Sequence, residues 1–373
     1  MHITRSLILI VAALASSIAA AADELEPLLA TLRAVGPKGA GHREATVAWQ
    51  KLARADVEQL PVILAGLDEA GPLAANWIRT AVDAIVERQL QQGGKLPAIE
   101  LERFALEVRH APRGRRLAYE LLCDVDPSAT QRLIPRMLDD PSLEMRRDAI
   151  ARLIDEATEL QQAQKTPQAI AAYEKAFAAA RDIDQIKLLA ERLTKLDRKP
   201  DLPRHLGFVI RWKVIGPFDN TGEKGYDVVY PPEQKLDLAA QYDGKHNKVK
   251  WIDHATDDAY GKVDLNKVLV KEKDVVGYAA AEFVSDRRQE VQFRVTSYNA
   301  VKLWLGGRLI DQHNVYHGGS QLDQYVCTAE LKPGCNTILL KSCQNAQTQS
   351  WAEPWAFQLR VCAGDGTAIL SAE

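Results

Sequence analysis

The apolar positions of this chain change period once. From residue 23 to about 200 they recur every three to four residues, the spacing of one buried helix face. From Phe208 onward they fall into short runs of period two bounded by Gly, Asn, Asp and Pro, the pattern of half-buried strands. Between the two lies Leu196–Gly207, LDRKPDLPRHLG, whose Pro200 and Pro203 forbid a continuous helix. The pattern predicts a multidomain α + β chain. A helical domain spans 23–200, and an antiparallel β-sandwich spans 203–373.

The helical half carries a loose internal repeat. Leu60-Pro61, Leu96-Pro97 and Ile134-Pro135 each open or sit within a short apolar-periodic helix. A second helix with Arg-x-Ala follows each: Arg79/Ala81, Arg116/Ala118 and Arg147/Ala149. The alanines recur at intervals of 37 and 31 residues, inside the range of helical repeats. In Leu133–Leu153, LIPRMLDDPSLEMRRDAIARL, Asp140-Pro141 ends one helix and begins the next, and Met145, Ala149, Ile150 and Leu153 form one stripe. This unit resembles a HEAT repeat. The following Thr166–Ala179, TPQAIAAYEKAFAA, is similar to the second helix of a tetratricopeptide repeat, in which Ala169, Tyr173 and Ala176 would pack helix on helix. Either resemblance implies an α-solenoid, which offers a protein partner a surface or supports its neighbour. The basic cluster Arg109, His110, Arg113, Arg115 and Arg116 reads as a helix junction with a solvated face rather than an anion site.

Strands are expected at Phe208–Phe218, Tyr278–Ser285, Val291–Ser297, Ala300–Leu305, Arg308–Asp311, Gln324–Leu331, Thr337–Cys343 and Trp355–Cys362. Gly216-Pro217 is expected to stop the first. Long insertions fill Asp219–Lys250 and Asp253–Asp274 and are read as loops at the ends of the sandwich. Three motifs carry a family resemblance: Val301–Ile310, VKLWLGGRLI, with Gly306-Gly307 at a tight turn; Leu331–Lys341, LKPGCNTILLK; and the aromatic-led strand from Trp355 to Gly366. Together they resemble galactose-binding-like jelly rolls, the sugar-binding modules found beside glycoside hydrolase domains. The resemblance covers about Phe208–Ile369 and implies binding rather than catalysis.

Composition narrows the function classes. The formal charge of −3 provides no basic field for nucleic acid. Residues 1–22 read as a signal peptide: Arg5, an apolar run Leu7–Leu14 too short for a span, then small residues at Ala20 and Ala22. The mature protein is expected in the periplasm or secreted, with no membrane span. Export permits disulfides. Cys123 reads as a buried thiol. Cys327, Cys335, Cys343 and Cys362 allow three pairings, and strand parity is compatible with one bridge involving Cys362.

Candidate chemistry concentrates in loops. Gln344–Trp351, QNAQTQSW, offers Asn345, Gln347 and Gln349 for sugar hydroxyls and Trp351 for a sugar's C–H face. His313 and His317 lie on an expected polar loop that lines a cleft; their spacing alone does not make a zinc site. Asp219, Asn220, Glu223 and Asp227 cluster in the first insertion, where Asp219, Asn220 and Asp227 would suit a structural Ca²⁺ if brought together; turn formation is the other reading of these acids. By parity with Phe357, Leu359 and Val361, Trp355 reads as core, and the strand tryptophans Trp212 and Trp304 read as structural. No nucleophile, zinc-protease or nucleotide-binding motif occurs. The expected function is an exported, non-catalytic binding protein. Its β-sandwich faces a glycan and its helices face a protein, with no cofactor beyond a structural Ca²⁺. The alternative is a scaffold in which both domains contact proteins.

Overall fold

The computed structural model describes residues 23–372; the expected signal peptide, residues 1–22, lies outside the described residues. Helices come first and antiparallel sheets follow from Arg211. The chain divides into two compact units, one closing at Leu189 and the other opening at Ala190.

The helical unit runs through α1 (23–33), α2 (His42–Leu52), α3 (Leu60–Ala65), α4 (Pro72–Gln91), α5 (Ala98–Leu106), α6 (Pro112–Val125), α7 (Ala129–Leu133), α8 (Leu143–Gln162) and α9 (Thr166–Ala179), then into α10 (Ile183–Thr194). Proline starts α4 and α6, where its missing N–H has no intrahelical role. Ser142 caps α8, its Oγ accepting from Met145 N at 3.4 Å. Short and long helices alternate from α3 to α8, and Ala81, Ala118 and Ala149 are all buried. The arginine of each Arg-x-Ala reaches an acid on a later helix, α6 from α4, α8 from α6 and α10 from α8. Arg79 approaches Glu120 at 3.6 Å, Arg116 pairs with Asp148, and Arg147 donates to Asp184 at 2.8 Å. The basic cluster is a junction: Arg115 is fully buried and binds Asp140 bidentately at 2.8 and 2.6 Å. No described helix is long and apolar enough to cross a membrane.

The second unit carries α11 (Leu202–Leu206) before a two-sheet sandwich that does not close into a barrel. Its strands are β1 (Arg211–Asp219), β2 (Gln241–Asp243), β3 (Lys248–Lys250), β4 (Ile252–Ala255), β5 (Val263–Asp264), β6 (Val275–Ser285), β7 (Gln289–Ser297), β8 (Ala300–Leu305), β9 (Arg308–His313), β10 (Tyr325–Leu331), β11 (Gly334–Gln344) and β12 (Ala356–Cys362). One sheet has the order β4-β1-β6-β11-β8-β9, the other β10-β7-β12-β5, and β2-β3 form a separate hairpin. Every pairing is antiparallel. Trp212, Val214, Phe283, Leu303, Ile338 and Leu340 from the larger sheet meet Val291, Phe293, Val295, Phe357, Leu359 and Val361 from the smaller. Trp355 is fully buried, and Trp212 and Trp304 are nearly so, as parity predicts.

The motif at Leu331–Lys341 works through Asn336. Its Oδ1 accepts from Lys332 N at 2.9 Å, and its Nδ2 donates to the carbonyls of Phe283, Lys332 and Gly334. That side chain closes the turn before β11. Gly306 and Gly307 both take positive φ, 56° and 80°, as a two-residue hairpin turn requires.

Three expectations are corrected. Gly216-Pro217 does not stop β1; the strand continues to Asp219 across an irregular register between Ile215 and Phe218. The first insertion is not an end loop. Its Tyr226, with Trp251 just beyond its end, packs with Phe218, Val276, Tyr278 and Leu339 as a second core over the outer face of the larger sheet. Aromatic burial drives this, since that face is itself apolar. Finally, no bridge involves Cys362: all five cysteines are free. Cys327 pairs opposite Phe293 and Cys362 opposite Gln292, so β7 lies between them. Two strand spacings, about 9–10 Å, exceed a disulfide's reach. Cys335 and Cys343 sit on β11 of the other sheet.

Candidate functional site

Strand register gathers four chain segments at one end of the larger sheet. Asp219 at the end of β1 lies opposite Val275 at the start of β6, which lies opposite Gln344 at the end of β11. Cys343 then faces Ala300 at the start of β8, and Val301 faces His313 at the end of β9. The segments leaving these ends supply Glu223, Asp274, Tyr316 and Asn345–Gln347. They line one open cleft of about 550 Å³.

Two asparagines hold the segments together. Asn220, fully buried, donates its backbone N–H to Asp274 O at 2.8 Å and its Nδ2 to Tyr316 Oη at 3.1 Å and Gln344 O at 2.9 Å. Asn345 Oδ1 accepts from His317 Nε2 at 2.9 Å and from Gln347 N at 3.2 Å. Its Nδ2 donates to Glu223 Oε1 at 3.0 Å and Gln347 Oε1 at 3.3 Å. Glu223, Asp274 and His317 all take left-handed φ of 55–63° without being glycine. Each costs roughly 1 kcal/mol or more, so local strain is concentrated around this cleft. Burial pushes the Tyr316 hydroxyl well above its usual range, so it stays neutral while it accepts from Asn220.

Trp351 stands on the single turn Ser350–Ala352, 59% exposed. The His317 ring meets it edge-on, 5.2 Å between centroids at 88°. A large aromatic face is therefore held beside the cleft and open to solvent, where an exposed tryptophan gains nothing from burial.

The structure brings together four of the six expected ligand residues: Asn345, Gln347, His317 and Trp351. Gln349 stands exposed at the head of the Trp351 turn, outside the bonded cluster. His313 points elsewhere. Its ring stacks on Tyr325 at 3.6 Å and 8°, with Nε2 3.0 Å from Asp311 Oδ1. The three residues considered for Ca²⁺ do not converge. Asp219 Oδ1 accepts from Thr221 N and Oγ1 in a turn, Asn220 binds as above, and the Asp227 side chain is 84% exposed. Among the described residues no group of three or more His, Cys, Asp or Glu side chains is placed to hold a metal. Asp274 and Tyr316 escaped sequence reasoning. The available signal was that each abuts a strand end.

No protein-family model matches the chain, and no curated protein matches it. Solved structures resemble it distantly. An anti-sigma factor domain-containing protein is 17% identical over 33% of this chain and 40% of its own, with a TM-score of 0.25. The selenomethionine-labelled beta-glucosidase of Kluyveromyces marxianus is 10% identical over 83% of this chain and 38% of its own, with a TM-score of 0.27. The beta-glucuronidase of Ruminococcus gnavus in complex with uronic isofagomine is 13% identical over 42% and 28%, with a TM-score of 0.25. The chain spans less than half the length of each. Scores this low carry no argument about function.

Proposed function

We propose that this chain is an exported, non-catalytic binding protein whose β-sandwich, read as a galactose-binding-like jelly roll, holds a glycan at the strand-end cleft. Its helical repeats contact a protein. The observation that supports the glycan reading best is Trp351, exposed and edge-braced by His317 beside an amide- and carboxylate-lined cleft. A pyranose presents an apolar C–H face and a ring of hydroxyls. An aromatic surface takes the first, and planar amides and carboxylates take the second. Asn345 and Gln347 are already oriented by hydrogen bonds, which limits the ordering cost of binding.

The test is calorimetric titration of the mature chain against a glycan panel, with Trp351→Ala in parallel. Saturable binding is expected, weakened about tenfold or more in the variant. Reducing-end assays should show no cleavage. Absence of binding across the panel would overturn the reading and favour a scaffold that contacts proteins through both domains. Release of reducing ends would overturn its non-catalytic part.

A further inference from the structure

We infer that the cleft selects glycans carrying a free amine, hexosamine units without an N-acyl group, over neutral and acidic ones. This rests on the glycan reading above and narrows it. The cleft lining contains two carboxylates, Glu223 and Asp274, and neither lysine nor arginine. Among the described residues no cation pairs with either carboxylate. The nearby Lys245 turns its Nζ to the carbonyls of Lys273 and Asp274, at 2.9 and 3.0 Å, and lies 3.2 Å from Glu272. Glu223 Oε1 accepts only from a neutral amide, Asn345 Nδ2. The His317 Nε2 faces Asn345 Oδ1 rather than a carboxylate.

Asp274 Oδ1 is buried and has no hydrogen-bond partner among the described residues. A buried acceptor without a donor is destabilising, more so when it is charged. The Asp274 backbone is pinned on both sides, accepting from Asn220 N and donating to Asn345 O, so the strand ends hold this residue in the cleft lining. An ammonium group supplies three N–H donors and a full positive charge, which a hydroxyl does not. A uronic acid would bring a third carboxylate against two, and like charges in a partly desolvated cleft repel.

The test compares a glucosamine oligomer, its N-acetylated counterpart and an oligogalacturonate of equal length, titrated into the mature chain at mildly acidic pH. The glucosamine amine is then charged. The glucosamine oligomer should bind about tenfold tighter than the N-acetylated one, and the advantage should shrink with salt. Asp274→Asn and Glu223→Gln should each reduce that advantage. Glu223 is exposed, so its variant keeps the test valid if Asp274→Asn fails to fold. Equal affinity for the two hexosamine oligomers overturns the amine preference and leaves the glycan reading standing. Tightest binding of the oligogalacturonate does the same. Binding of a simple diamine that Trp351→Ala leaves unchanged, with no oligomer bound more tightly, overturns the glycan reading itself.

Discussion

Lys341 shows how one side chain fixes the layer over the larger sheet. It is fully buried, and its Nζ donates to Tyr226 O at 3.0 Å, Val228 O at 2.8 Å and Glu233 Oε1 at 2.8 Å. The rings of Tyr230 and Tyr278 flank it at 5.5 and 5.7 Å. Burial, and then the Glu233 charge, pushes the Tyr278 hydroxyl far above its usual range, so it stays protonated and donates to Glu233. Glu233→Ala strands the ammonium and should cost about 3–5 kcal/mol in urea unfolding. Glu233→Leu combined with Lys341→Met should restore most of that. A single variant as stable as the parent would exclude the ion pair as an anchor. On β11 Lys341 alternates onto the same face as Cys335 and Cys343. Its partner was not legible, because Glu233 is 108 residues away and no local pattern encodes that distance. The tryptophans divide the same way. Period two marked Trp212, Trp304 and Trp355 as core, while Trp351, outside any strand, carried no such mark.

Among the connecting elements, the segment 314–324 between β9 and β10 brings His317 to the cleft and is anchored at its far end. Asp323 accepts from Arg360 Nε at 2.7 Å and from Arg294 Nη1 at 3.0 Å, and Thr296 Oγ1 donates to Gln321 O at 2.8 Å. Burial raises the Asp323 carboxyl, but the Arg360 and Arg294 guanidiniums outweigh it and hold it below the ordinary value. The stabilisation is therefore complete above the unfolded value near 4 and fades as pH falls through the lower folded one. Hydrogen exchange across 314–324, taken relative to the intrinsic rate at each pH, should accelerate in acid below about pH 4. Asp323→Asn should produce the same acceleration at neutral pH, and an unchanged exchange rate in that variant would remove the anchor. Neither anchor nor cleft could be read from the chain alone. The amide-rich run after Gln344 was visible, but Asn345 meets Glu223 across 122 residues. The first insertion has no regular period, so nothing marked it as a covering layer except its three tyrosines, Tyr226, Tyr230 and Tyr242.

At the scale of the whole molecule, two units of different construction share one chain. Helical period, proline positions and the Arg-x-Ala recurrence made the first legible, since each long helix contacts its sequence neighbours. Hydrogen bonds from Arg147 hold Asp184 down to about 2. The pair is largely exposed, so solvent screens it, and Arg147→Ala should cost less than about 1 kcal/mol. A Tm lowered by many degrees would show that the arginine series is cooperative. The second unit depends on non-local pairing, and only its strands were readable. The cysteines complete this scale. Burial pushes Cys327 and Cys343 up to about 12, and Cys362 is buried as well. Thiol titration of the native chain should find one fast-reacting group, Cys335, the only exposed cysteine, and five after denaturation. A fold that relies on no covalent cross-link is indifferent to reductant. The chain can be produced in a reducing cytosol without oxidative refolding, and Cys335 then offers a single attachment point for a fluorophore.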